Sequence, residues 1–252
     1  MRDTILLPIL SLVLPLCYSD KQPWKTLKEF ENDILVKVDT GPGPLSGFDF
    51  HHRIPKFKIE VDEDGPRLWP RGRIPYKFAR FRFSSAEKNQ VRKAIREFHR
   101  KTCIRFYKRR RNERDFIKIV KVSPEGDRDS CSSYVGRIGG GQEITLGPRC
   151  YDKSTIIHEL MHALGFYHEH SRKESRDYVT IKGYRGTDFD VHRKHHPVVR
   201  KSPYDICSIM HYGKGYFKDP YDHDSKCRHD MGEAKTFSKS DLKRLLEMYK
   251  CY

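Results

Sequence analysis

Between His158 and His170 the chain reads HELMHALGFYHEH, and this stretch constrains the fold more than any other. The spacing predicts a helix over residues 154–164. His158 and His162, four residues apart, would then leave one face of that helix a turn from each other. Gly165 has no Cβ and tolerates a positive φ, so it can end the helix sharply and let His168 swing back toward the same point. Three nitrogen ligands leave the fourth position of a tetrahedral zinc open to water. That is the arrangement of a catalytic site, whereas structural zinc closes with four protein ligands. Glu159 lies beside the first ligand and can act as general base. It would take a proton from the zinc-bound water, whose pKa the metal lowers to about 7, and later return it to a leaving amine. One zinc ion per chain and hydrolysis of peptide bonds are the expectation.

At these residues the sequence resembles the metzincin proteases, and its neighbours narrow the resemblance to the astacin family of zinc endopeptidases. Glu169 directly follows the third histidine, as in astacins, and the continuation HEHSRKESRDYVTI from His168 to Ile181 is similar as well. A second signature is SIMHY, Ser208 to Tyr212. The resemblance implies that Met210 forms an apolar floor beneath the metal. Tyr212 would alternate between ligating zinc and donating its hydroxyl hydrogen to the oxyanion formed during attack. It further implies an α+β, two-lobed catalytic domain. An N-terminal twisted sheet would pack with two long helices, one of them the zinc helix, and a mostly irregular C-terminal lobe would end in a helix. The segment CSSYVGRIGGGQEITLG, Cys131 to Gly147, resembles the one whose edge strand receives substrate. Ser132, Ser133, Tyr134 and Val135 would there pair with an extended peptide through backbone groups. The likeness runs from about Leu68 to Cys251.

The ends of the chain carry other signals. Met1 to Ser19 combines a short charged start, an apolar run from Ile5 to Leu16 and small residues after it, and reads as a secretory signal peptide. That run is too short to span a membrane and no later one qualifies, so a secreted, extracellular product is expected. Residues 20–59 lack periodicity and read as a propeptide; residues 60–252 are the expected protease domain. FENDI, Phe30 to Ile34, resembles the motif by which astacin zymogens block their own metal, with Asp33 as the blocking ligand. Asn32 stands where that motif has glycine, although Asn also tolerates a left-handed backbone. Cleavage by an activating protease is expected between roughly residues 55 and 64. By the resemblance, Glu169 would then hold the new amino terminus.

Without Cys17 the exported chain keeps six cysteines, an even number in an oxidising route, and three disulfides are expected. Spacing alone leaves the pairing open. The resemblance implies Cys103 with Cys251 and Cys131 with Cys150, leaving Cys207 with Cys227.

The formal net charge is +16, with basic clusters at Lys108 to Arg111 and at Arg193, Lys194, Arg200 and Lys201. Such a surface either attracts acidic substrates and extracellular polyanions or merely keeps the protein soluble. Nucleic acid is not expected as a partner of an exported chain. A polyanion-binding protein with structural zinc is the rival reading, and Glu159 beside the metal speaks against it. Lys214, Lys218, Lys226 and Arg228 are candidates for a pocket that selects an acidic residue after the cut. Asp188, Asp190, His192, His195 and His196 match no recurrent ligand spacing and read as a polar connecting loop.

Secondary structure follows from period and caps. Strands are expected over 74–78, 104–107 and 116–122. Ser84 with Glu87 forms a capping box ahead of the helical stripe Val91, Ala94, Ile95 and Phe98. Ser238 with Asp241 caps a last helix with Leu242, Leu245, Leu246 and Tyr249 on its apolar side.

Overall fold

Long crossovers decide the topology of the N-terminal half. The computed structural model describes residues 65–80, 83–122, 128–183, 195–218, 227 and 231–252, with the backbone of 34–35. The expected signal peptide, Asp33, and residues 188, 190, 192, 226 and 228 lie outside the described residues. The strands are β1 (Ile34–Leu35), β2 (Arg73–Phe78), β3 (Arg105–Lys108), β4 (Phe116–Val120), β5 (Cys131–Tyr134) and β6 (Gly141–Leu146). They form one sheet in the order β1-β5-β6-β4-β2-β3. β2 is parallel to β3 and β4, β4 is parallel to β6, and β5 is antiparallel to β6. A parallel pair cannot be closed by a tight turn. Helix α1 (Ser85–Lys101) supplies the crossover from β2 to β3.

The predicted local signals are where the sequence places them. Ser84 and Glu87 form a reciprocal capping box on α1, and Val91, Ala94, Ile95 and Phe98 are buried. They pack with Ile74, Phe106, Ile117 and Ile119 of the sheet and with Ile156, Ile157 and Leu160 of helix α2 (Lys153–Ala163) in one hydrophobic core. β3 and β4 are shifted or shortened at their ends relative to expectation. β7 (Thr180–Ile181), helix α3 (Pro197–Arg200), β8 (Phe217–Lys218) and helix α4 (Lys239–Met248) complete the chain, with the intervening C-terminal segments largely irregular. The α+β architecture is therefore the one expected.

Three disulfides staple these parts, pairing Cys103 with Cys251, Cys131 with Cys150 and Cys207 with Cys227. These are the pairs the resemblance implied. The first joins the approach to β3 to the chain end. In the loop-entropy account it contributes about 4–5 kcal/mol by restricting the unfolded chain.

One partly buried carboxylate ties three elements together. Glu97 on α1 accepts hydrogen bonds from Lys101 at 2.7 Å, Arg100 at 2.9 Å and Thr236 at 2.9 Å, with Lys153 of α2 at 3.9 Å. Burial by itself would raise its pKa, but the hydrogen bonds from Lys101 and Thr236 and the charges of Lys101 and Lys153 outweigh it and hold the group at about 2. A carboxyl depressed in the folded state stabilises fully above its unfolded pKa, and loses that contribution as pH falls through the folded value. Glu97→Gln should therefore lower the urea-unfolding free energy by about 1–3 kcal/mol at pH 7. The difference from wild type should shrink below pH 4.5, the ordinary value for the group, and disappear near pH 2. A gap that does not change with pH would show that Glu97 acts through packing alone.

Candidate metal centre

Helix α2 begins one residue before expectation because Asp152 is its N-cap. The Asp152 carboxylate accepts from the Thr155 N–H at 3.0 Å and from the Ser154 and Thr155 hydroxyls. From this start, 3.6-residue periodicity turns His158 and His162 inward. At the other end Gly165 has φ +104°, and its N–H donates to the His162 carbonyl at 2.8 Å. A Cβ there would also approach a Leu68 methyl at 3.2 Å. Helix ends leave carbonyls unpaired. Here two side chains distant in sequence take them, the Trp69 indole N–H on Ala163 at 2.9 Å and the Tyr249 hydroxyl on Leu164 at 3.0 Å. The turn is thus clamped from both sides, and His168 returns to the helix.

The three Nε2 atoms converge. They lie 3.0 Å apart between His158 and His162, 3.1 Å between His162 and His168, and 3.3 Å between His158 and His168. The far nitrogens of the two helical histidines face carbonyls, so they must carry the hydrogen. His158 Nδ1 donates to Ile209 O and His162 Nδ1 to Phe166 O, both at 2.7 Å. Their Nε2 lone pairs consequently point at one another, an arrangement that is repulsive without a cation. Three imidazoles on a tetrahedral zinc at about 2.05 Å would stand roughly 3.3 Å apart. The residues present therefore fit that ion. Among the described residues this trio is the one group able to hold a metal.

Glu159 is buried, 1% exposed, and follows His158 on the helix. Tyr212 is buried with its ring 4.3 Å from that of His168 and 4.3 Å from that of His170. Met210 is buried in the turn that also offers Ile209 O to His158, and its own carbonyl accepts from Glu169 N–H at 2.8 Å.

The outer edge of β5, where the sequence leads one to expect a substrate to pair with Ser132 to Val135, is occupied in this chain by its own N-terminal segment. β1 pairs with it in parallel, Ile34 opposite Ser133 and Leu35 opposite Tyr134. An edge strand presents unpaired donors and acceptors that capture any extended segment within reach, and the chain supplies its own. Lys214 and Lys218 are exposed. His195 and His196 serve local hydrogen bonding. His195 Nε2 is 3.1 Å from Ser171 Oγ, and His196 Nδ1 accepts from the Val198 N–H at 3.2 Å.

Comparison with known proteins agrees with this geometry. Residues 62–250 match the family model of the astacin peptidases. The chain belongs to the astacin family. It is 36% identical over 196 residues to zinc metalloproteinase nas-8 of Steinernema carpocapsae, covering 73% of this chain and 45% of that protein. It is 36% identical over 193 residues to zinc metalloproteinase nas-7 of Caenorhabditis elegans, with 73% and 49% covered. This chain thus spans less than half the length of these curated relatives. Among solved structures it resembles high choriolytic enzyme 1, a hatching enzyme zinc-protease from the medaka fish Oryzias latipes. The TM-score is 0.62 and the identity 31%, covering 75% of this chain and 96% of that one.

In this astacin two buried acids behind the metal centre have roles that periodicity did not reveal. Asp241 caps α4 through the Ser238 N–H at 2.9 Å. It also accepts from Ser208 Oγ at 2.6 Å and from the Ile209 N–H at 2.9 Å. Ile209 is the residue whose carbonyl orients His158, so Asp241 supports a ligand through one peptide unit. Burial raises its pKa, and the nearby Asp205 charge adds to that against the hydrogen bonds. Glu169, expected to await an amino terminus, already sits between two guanidinium groups. Arg172 donates at 2.7 Å and Arg244 at 2.8 Å and 3.0 Å, and the Asp205 N–H donates at 2.8 Å.

Asp241→Ala removes three hydrogen bonds to a buried carboxylate and should cost about 2–4 kcal/mol in urea unfolding. The same variant should surrender zinc to a chelator faster than wild type at a temperature where both are folded. Equal release rates would disconnect Asp241 from the metal ligand.

Proposed function

We propose that the chain is a secreted zinc endopeptidase, made as a zymogen, that cuts extended protein or peptide segments. The observation that carries this reading is the convergence of three Nε2 atoms within 3.3 Å, with two of the rings held in the required tautomer by backbone carbonyls. His158, His162 and His168 hold the metal, one ion per chain. Zinc bound there supplies Lewis acidity, which makes water a nucleophile near neutral pH and polarises a peptide carbonyl. Glu159 would accept a proton from the attacking water and return it to the leaving amine. Its burial keeps the proton out of bulk solvent. Tyr212, packed on His168, would offer its hydroxyl either as a further metal ligand or as a hydrogen-bond donor to the oxyanion. Met210 lies as a floor under the site.

The zymogen reading is supported by β1. Residues 34–35, directly after Asp33, occupy the edge of β5 that a substrate would need. Asp33 is the proposed ligand that displaces water before processing by another protease. The new amino terminus would join Arg172 and Arg244 at Glu169. The six disulfide-bonded cysteines and a signal-like start suit the extracellular space, and no helix among the described residues is long and apolar enough to cross a membrane. A net charge of +16 favours acidic substrates and extracellular polyanions.

Cleavage of a diverse peptide library by the processed protein and by Glu159→Ala tests the catalytic part. The variant should keep its zinc and lose activity by at least a factor on the order of 10² to 10⁴; normal turnover by zinc-loaded Glu159→Ala sinks the mechanism. Asp33→Ala should give measurable cleavage before processing. Silence of that unprocessed variant would remove Asp33 from the inhibition.

A further inference from the structure

The large sheet has one face packed on helices α1 and α2 and one turned away from them. Ile74, Phe106, Ile117 and Ile119 point into the helices, so by strand alternation their neighbours Arg73, Lys77, Arg105 and Lys118 point the other way. Register then stacks like charges. Arg73 is the cross-strand partner of Arg105, and Lys77 of Lys118. Like charges directly opposite each other destabilise a sheet, yet two such pairs stand on one face. Glu143 neutralises Lys118 at 2.7 Å. Among the described residues no carboxylate pairs with Arg73, Lys77 or Arg105, and all three are exposed, although Arg105 also donates through Nη1 to the Thr102 carbonyl at 2.7 Å and the Ile104 carbonyl at 2.9 Å. The remaining nearby acids are engaged, Glu113 by the Tyr107 hydroxyl at 2.6 Å and Asp115 by Arg137. The turn after β3 adds exposed Arg110, Arg111 and Arg114.

We propose that this face, centred on Arg73 and Lys77, binds a linear sulfated polysaccharide. The two like-charge pairs are separated by four residues of strand, about 13 Å. A single small anion cannot span that distance, whereas an extended polymer can. Guanidinium groups match the planar oxygens of a sulfate with two parallel hydrogen bonds. The aromatic rings on the face are already covered by cations. Arg73 lies 5.0 Å from the Tyr107 ring centre, Lys77 4.8 Å and Arg109 3.9 Å from that of Phe116. They are therefore not free to stack nucleic-acid bases. The only large hydrophobic exposed among the described residues is Tyr252, so the face has nothing to insert into a lipid surface. This surface is separate from the peptidase reading, and its failure would leave that reading untouched.

The test is binding of a heparin dodecasaccharide to the full chain at about 0.15 M salt. R73Q/K77Q should weaken the Kd roughly tenfold and reduce its salt dependence, while R73K/K77R retains binding. A control of equal charge loss on α1, K93Q/R96Q, should change the Kd less than about twofold. Removing the like-charge pairs should leave Tm unchanged or higher, and heparin should raise the Tm of wild type but not of R73Q/K77Q. Equal loss in both charge-matched doubles, or none in either, overturns the proposal. So does displacement of heparin by oligothymidylate of matching charge at equal concentration, or capture by phosphatidylserine-containing vesicles without heparin binding.

Discussion

Three imidazole nitrogens held within 3.3 Å of one another repel unless a cation lies between them, and most of this fold exists to impose that crowding. Two ligands come from helical periodicity, which delivers them for little beyond the cost of forming α2. The third requires the chain to reverse, and reversal is where the structure concentrates its supports. Gly165 supplies the backbone angle, and Trp69 and Tyr249 take the carbonyls that the end of the helix leaves open. Tyr249 is two residues from the disulfide joining Cys251 to Cys103. The longest covalent loop in the chain therefore closes beside the turn that delivers the third ligand.

The C-terminal helix contributes the charges behind the site. Asp241 and Arg244 are three residues apart on one face of α4 and both are buried. One reaches the turn that orients His158, and the other reaches the carboxylate after His168. Burying either charge alone would be expensive, and truncating one partner of such a set strands the other. Paired with Ser208, Ile209, Glu169 and Arg172, they fix where two separate segments meet the metal. Their contribution is better described as placement than as net stability, because a well-packed apolar set could equal the latter.

What could be read from the sequence was what is local. The metal motif, the two capping boxes and the αL glycine each span a few residues, and the intrinsic rules for those spacings apply wherever the chain goes. Family likeness supplied the cysteine pairs, which spacing left open. Asp152 as a cap was missed by a single residue because the helix start was placed at Ser154. Arg244 was missed because periodicity counts apolar residues, and a buried arginine looks like part of the solvated face until its partner, 75 residues away, is known. The second duty of Asp241 was hidden for the same reason. A capping box explains the carboxylate fully at short range and gives no hint of Ser208.

The pairing of β1 with β5 was not legible because two residues of strand have no period. Their presence there has a consequence for any inhibitory role of the N-terminal segment. A two-residue pairing makes few hydrogen bonds, each with a net value of about 1 kcal/mol, and is too weak to exclude a peptide presented at high local concentration. On the proposed reading it would compete for the same backbone groups as a substrate, but its greater effect would be on position. It holds Ile34 opposite Ser133, and Asp33 directly precedes Ile34 in the sequence. On the proposed reading, the strength of the block would come from Asp33 at the cation, and the short strand would keep the N-terminal segment at the edge of β5. On that reading activation would require cutting the tether. Once the segment is free to diffuse, neither the weak pairing nor one carboxylate would hold it at the site.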